Sequence, residues 1–130
     1  MEKYIRVKAN AEIDIIWVSE AHWLEDVYKA INSDCIQIVR PIPHHGGMLM
    51  IIDDNGKLKP DHHMNAIATI LYGRVPHDYI AGDIILAWQG ERNGEPDCVP
   101  LPDGLYSWML ELTAELKNQL KEPIGKDLFK

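Results

Sequence analysis

Two contiguous histidine pairs, His44-His45 and His62-His63, have the widest chemical reach in this chain. A neutral imidazole can ligate a metal or take a proton, and a protonated one can hold a phosphate. The first pair runs directly into Gly46-Gly47, with Arg40 just upstream. Glycines let a backbone approach a ligand closely, and the N–H groups of such a turn can cradle an anion. Arg40, His44, His45, Gly46 and Gly47 therefore form the first candidate site, for a small anionic ligand. The bland alternative is a surface turn carrying two solvated histidines. Adjacent histidines on extended chain point to opposite sides, so each pair offers one metal ligand at most. Their spacing matches neither His-Glu-x-x-His nor a Cys/His zinc pattern, so no metal and no cofactor is expected.

A hydrolase would need a base positioned beside a nucleophile or an activated water. His44, His45, His63 and Asp61 are the residues that could supply one. The contiguous pairs differ from the separated His-x-Thr/Ser arrangement of metal-free phosphodiesterases, so an enzyme is the minority reading. A second group, Asn65, Thr69, Tyr72, Arg74 and His77, gathers around a helical segment. Arg74 could grip a phosphate and Tyr72 could stack on a ring, although Tyr72 fits a core position and Arg74 a solvated one equally well. Asn65 could donate to a base, but capping or backbone bonding is the commoner role of such a residue. Trp17 and Trp23 fall at strand and helix periodicity, which favours core packing over ligand stacking.

The elements that must position these residues are legible from periodicity. Ile5, Val7 and Ala9 alternate with Arg6, Lys8 and Asn10, and Ile13, Ile15 and Trp17 repeat the pattern, which predicts a β-hairpin. Ser19 stands as N-cap for a helix whose face is Trp23, Leu24, Val27, Tyr28 and Ile31, ended by Asn32-Ser33-Asp34. Cys35–Val39 and Met48–Ile52 read as strands, and Asn55-Gly56 as a tight turn with positive φ. Met64, Ile67, Ala68 and Leu71 lie at helical spacing, with Asp61 as cap and Gly73 as terminator. Ile80 and Ile84–Trp88 read as a strand around Gly82, and 89–104 as an exposed loop. Leu105, Trp108, Met109, Leu112, Leu116 and Leu120 mark a long amphipathic helix over 105–121, stopped by Pro123 and Gly125 before a tail at 122–130.

Composition bounds the rest. With 130 residues, 46% apolar and 25% charged, one soluble domain over 1–130 is expected. A net charge of −7 argues against gripping DNA or RNA through many phosphates, but one phosphate-bearing ligand needs only a few local donors. The acidic residues are scattered, which disfavours DNA mimicry. Cys35 and Cys98 make no disulfide framework and read as reduced thiols. No run is long enough to span a bilayer, and the first residues hold no signal-type apolar stretch, so a host bacterial cytoplasm is the expected compartment.

The order of elements resembles a family of short phage, plasmid and bacterial proteins known only as a domain of unknown function. The residues that carry the resemblance are Gly46-Gly47, Asp53-Asp54-Asn55-Gly56-Lys57-Leu58, Asn65, Ala68-Thr69, Leu71-Tyr72 and Gly82-Asp83, over about residues 4–90. The doubled histidines depart from that pattern, and the C-terminal helix reads as an extension. The resemblance implies an α+β fold and an origin in a phage or mobile element; it transfers no catalytic residue. Small phage proteins of this kind often act against host defences, some by sequestering nucleotide immune signals, an association that fold likeness alone does not license.

The sequence therefore predicts a mostly antiparallel sheet with helices on one face and a long C-terminal helix. Apolar surface on that helix and at Leu128-Phe129 points to a homo-oligomer. The expected activity is non-catalytic sequestration of a small nucleotide-type immune signal, held by Arg40, His44, His45, Gly46, Gly47, Asn65, Tyr72, Arg74 and His77. The alternatives are a phosphodiesterase-like enzyme that degrades such signals, or a protein–protein inhibitor of a host defence factor.

Overall fold

In the N-terminal segment the alternation of apolar and charged side chains resolves into β1 (Glu2–Val7) and β2 (Ile13–Val18), paired antiparallel with Ile5 opposite Ile15. The structure is a computed structural model and describes residues 1–41 and 46–120. Within the hairpin connection the Lys8 N–H donates to the Glu12 carbonyl at 2.8 Å, and Ala11 takes a positive φ of 71°. Helix α1 (Trp23–Ala30) follows, then β3 (Ile36–Val39), β4 (Met48–Asp53), α2 (Ala66–Tyr72), β5 (Ile84–Arg92), β6 (Glu95–Val99) and α3 (Asp103–Gln119). The sheet order is β2-β1-β5-β4-β3, and every pairing is antiparallel. Strand β6 pairs with the far half of β5, from Trp88 to Arg92, on the side that β1 occupies nearer its start.

The α+β sheet architecture expected from the sequence is the one that forms, with the helices spread over both sheet faces instead of one. Tyr4, Val18, Leu49, Ile51, Ile85 and Ala87 pack with Val27 and Ile31 of the α1 region on one face. Ile5, Val7, Met48, Met50, Ile84 and Leu86 pack with Ile67, Ala68, Tyr106 and Met109 of α2 and α3 on the other. Strands buried on both faces have no polar side, which is why Met48–Ile52 and Ile84–Ala87 read as unbroken apolar runs.

Several sequence expectations need correction. The 89–104 stretch is not a loop: β5 continues to Arg92 and turns back through Asn93 (φ 54°) and Gly94 (φ 81°) into β6. Two consecutive positive φ values make the tight turn that matches strand twist. The strand was hidden because Glu95, Pro96 and Asp97 are exposed and carry no apolar alternation. Ser19 does not cap α1, whose N-cap is His22 without a side-chain bond; instead Asp26 accepts the Ser19 N–H at 2.8 Å. Asn55 has a φ of −104°, and the segment closes as a short 3₁₀ turn (Gly56–Leu58) without positive φ. Ile80 lies outside β5, where Ala81 bridges to Met64. Trp23 packs at the core edge and donates to the Tyr4 hydroxyl at 3.1 Å, whereas Trp17 stands 58% exposed because β2 is an outermost strand. The expected helix stop at Pro123 and Gly125, and Leu128-Phe129, lie outside the described residues.

Candidate functional site

The motif residues prove to be fasteners that tie two loops to the sheet. Asn65 is fully buried, and its side-chain oxygen accepts the Ala68 N–H at 3.0 Å, so Asn65, and not Asp61, caps α2. Its amide nitrogen donates to the carbonyls of Val7 and Gly82, both at 2.9 Å. Thr69, also buried, accepts the Ile80 N–H at 2.9 Å, and Asp83 accepts the Ala9 N–H at 2.9 Å. Gly56 lies against the Ala81 carbonyl, where a Cβ would come within 2.7 Å of the oxygen. Gly73 closes α2 with a φ of 80°, as expected.

Asp53 fastens the end of β4. Its carboxylate accepts from Ser33 Oγ at 2.9 Å, the Asn55 N–H at 3.0 Å and Lys59 Nζ at 2.7 Å, with 3% of the side chain exposed. Burial opposes ionisation, but the bonds from Lys59, Ser33 and the Asn55 N–H outweigh it and hold the carboxyl below its ordinary value. A carboxyl with a depressed folded pKa stabilises the fold above its unfolded pKa, about 3.9, and loses that contribution as pH falls through the folded value. Asp53→Asn is therefore expected to cost about 1.5–3 kcal/mol at neutral pH. Urea unfolding of both proteins at pH 7 and near pH 2 should show the gap narrowing at acid pH; an equal gap at both would overturn the assignment.

These fasteners shape a cleft of about 230 Å³ on the α2–α3 face, above β3 and the end of β4. It is lined by Gln37, Val39 and Ile52 of the sheet, by Asp53 and Asp54 at the end of β4, and by Lys57, Tyr72, Asp78 and Tyr79 of the segments that follow. Each tyrosine carries a cation: Arg74 Cζ lies 5.0 Å from the Tyr72 ring centre, and Lys57 Nζ 4.5 Å from that of Tyr79. Lys57 is also paired with Asp78, and hydrogen bonding to Lys57, set against slight burial and helped by the Tyr79 N–H and the charges of Lys57 and Arg74, keeps that carboxyl below its ordinary value. His62 stacks near Tyr79, with ring centres 6.4 Å apart. The volume falls short of the roughly 300 Å³ at which whole small-molecule sites begin.

The nine sequence candidates separate. Tyr72 lines the cleft and Arg74 covers its ring. His77 is exposed nearby, with its N–H donated to the Arg74 carbonyl at 2.8 Å. Gly46 and Gly47 press on Trp88, where added Cβ atoms would lie 3.0 and 3.2 Å from the indole. Trp88 packs with the α2–α3 core, so this turn shares the cleft's face. Arg40 instead bonds the side chain of Gln89, the neighbour that strand alternation turns to the α1 face. Asn65 is spent on the backbone. His44 and His45 lie outside the described residues. Sequence reading missed Asp54, Lys57, Asp78 and Tyr79 as cleft residues, because no local spacing marks residues that meet only when the 74–81 segment folds back.

The arginines differ in commitment. Arg6 holds Asp14 through two bonds, and Arg92 holds Glu2 through two more while reaching Glu20 and Asp97. Among the described residues, no carboxylate pairs with Arg40 or Arg74. Among the same residues, no group of three or more His, Cys, Asp or Glu side chains is placed to hold a metal. Both cysteines are free, Cys35 exposed and Cys98 buried.

Fold and cleft together define an antiparallel α+β domain with a small, aromatic-walled cleft between a helix and an outer strand. The chain belongs to the family described as a domain of unknown function, DUF3846, whose model matches residues 2–114. That match takes in most of α3, so the C-terminal helix is part of the family domain and not an extension of it. No curated protein and no solved structure matches the chain. No helix among the described residues is long and apolar enough to cross a membrane.

Proposed function

We propose that this protein is a phage or mobile-element anti-defence protein that binds a small phosphate-bearing nucleotide signal in the host cytoplasm and sequesters it uncleaved. The observation that carries this reading is the Arg74 guanidinium, held over the Tyr72 ring at the cleft and paired with no carboxylate among the described residues. A guanidinium in that state offers a planar fork of donors to a phosphate, and its stacking limits the side-chain entropy lost on binding. The acidic cleft interior is unsuited to the phosphate itself. It suits the donor-bearing edge of a base, which Asp54 and Asp78 would accept while the phosphate stays outside at Arg74, with the Gly46-Gly47 turn on the same face. Sequestration then works by mass action, holding the free signal below its receptor's threshold.

The test is a thermal-shift screen with cyclic oligonucleotides and cyclic ADP-ribose isomers, followed by chromatography of each hit after heat release. A stabilising ligand recovered intact is the expected result. Arg74→Glu is expected to weaken its binding by about 100-fold, the loss of a charge-assisted fork plus repulsion, while Arg40→Glu on the other face changes it by less than about threefold. Recovery of a product would replace sequestration with phosphodiesterase-like turnover. No shift with any nucleotide would overturn the reading and favour a protein inhibitor of a host factor.

A further inference from the structure

Strand β2 ends the sheet with nothing paired to its outer side among the described residues. The Lys8 N–H to Glu12 carbonyl bond sets the phase of the β1–β2 ladder. In an antiparallel ladder hydrogen-bonded and non-hydrogen-bonded pairs alternate, so Asp14, Ile16 and Val18 direct their backbone groups at β1. Ile13, Ile15 and Trp17 therefore direct theirs outward. The last two are also among the most exposed large apolar residues, at 44% and 58%. One set of residues thus presents both the unpaired backbone and the uncovered apolar surface.

We infer that the occupant of this edge is β2 of a second copy of the chain, paired antiparallel about a two-fold axis at Ile15. Only that register uses all the outward groups on both strands, with Ile15 opposite Ile15 of the second copy and Ile13 opposite its Trp17. Charge supports the choice of partner. The chain carries a net −7, so copies repel unless they meet where acid is absent or neutralised. Asp14 is the only charged residue of β2, Arg6 holds it through bonds of 2.9 and 2.5 Å, and the register sets it opposite Ile16 of the second copy. Like charges never face each other along the pairing. The other open edges among the described residues are guarded as natural edges are: β3 has four residues and runs into Arg40-Pro41, and β6 carries Glu95, Pro96 and Asp97. A six-residue edge is short against the roughly 800 Å² per partner of a standard interface, so a reversible dimer is expected.

The inference is independent of the ligand. Sedimentation velocity of the full chain over a wide concentration range should show a monomer–dimer equilibrium. Ile15→Lys, and separately Trp17→Arg, should weaken it by at least about tenfold without changing the circular dichroism of the dilute monomer. As a check that does not depend on disrupting the strand, Ile15→Cys in a Cys35→Ser background should form a disulfide-linked dimer on mild oxidation. Leu24→Cys in the same background, exposed on α1, should not. A monomer at every concentration, a dimer indifferent to both edge variants, or equal cross-linking at residues 15 and 24 would overturn the assignment.

Discussion

Asn65→Ala is expected to remove about 3–4 kcal/mol of folding stability, the largest loss of any single side-chain truncation in the loop region. The capping bond to the Ala68 N–H accounts for about 1 kcal/mol of it. The remainder comes from the Val7 and Gly82 carbonyls, which lose their shared donor in a place where Asn65 itself admits no water. Asn65→Asp separates the two contributions. It keeps the cap acceptor but sets a carboxylate against two carbonyls, so it should be at least as damaging as alanine. Urea denaturation followed by circular dichroism measures both. If Asn65→Asp matched the natural protein, the bonds to Val7 and Gly82 would have no energetic weight.

Gly56→Ala should follow, at about 2–3 kcal/mol, as an overpacking effect. A Cβ there would lie 2.7 Å from the Ala81 carbonyl oxygen, a backbone atom that cannot rotate away. Ala81 sits between the Thr69-bonded Ile80 and Gly82, whose N–H donates to the His63 carbonyl at 3.0 Å, so the strain spreads into both loops that wall the cleft. Gly82→Ala provides the contrast: a Cβ there meets nothing within 4 Å, but the φ of +88° penalises any side chain. It should cost about 1–2 kcal/mol. Equal losses at both positions would remove the case for close approach at Gly56.

Both expectations concern positions of the family motif. Its Gly56, Asn65, Thr69 and Asp83 make backbone contacts, and Asp53 caps a strand end. A motif of this kind preserves a fold first and a cleft as its consequence. Arg74, stacked over the motif residue Tyr72, lies just outside the motif positions.

The sequence by itself determined the local elements. The first hairpin, the β4 and β5 runs, the Gly73 helix end and the C-terminal amphipathic helix all follow from periodicity and φ preference, which act over a few neighbouring residues. It also placed Tyr72 and Arg74 among its candidate ligand residues, two side chains that the fold brings together. Tertiary structure decided the rest. Apolar β4 and β5 runs require cover on both faces but do not say which helix lies on which. The polar β6 was visible only once β5 supplied a partner. Trp17 has the same strand pattern as a core residue and is exposed because β2 falls at the sheet edge, a matter of strand order. The cleft joins residues 37, 54, 57, 72, 78 and 79, and Arg40 is turned away from it, because side-chain contacts across the chain depend on how loops fold back over the sheet. Local spacing sets the elements, and long-range pairing sets the neighbours that line the cleft.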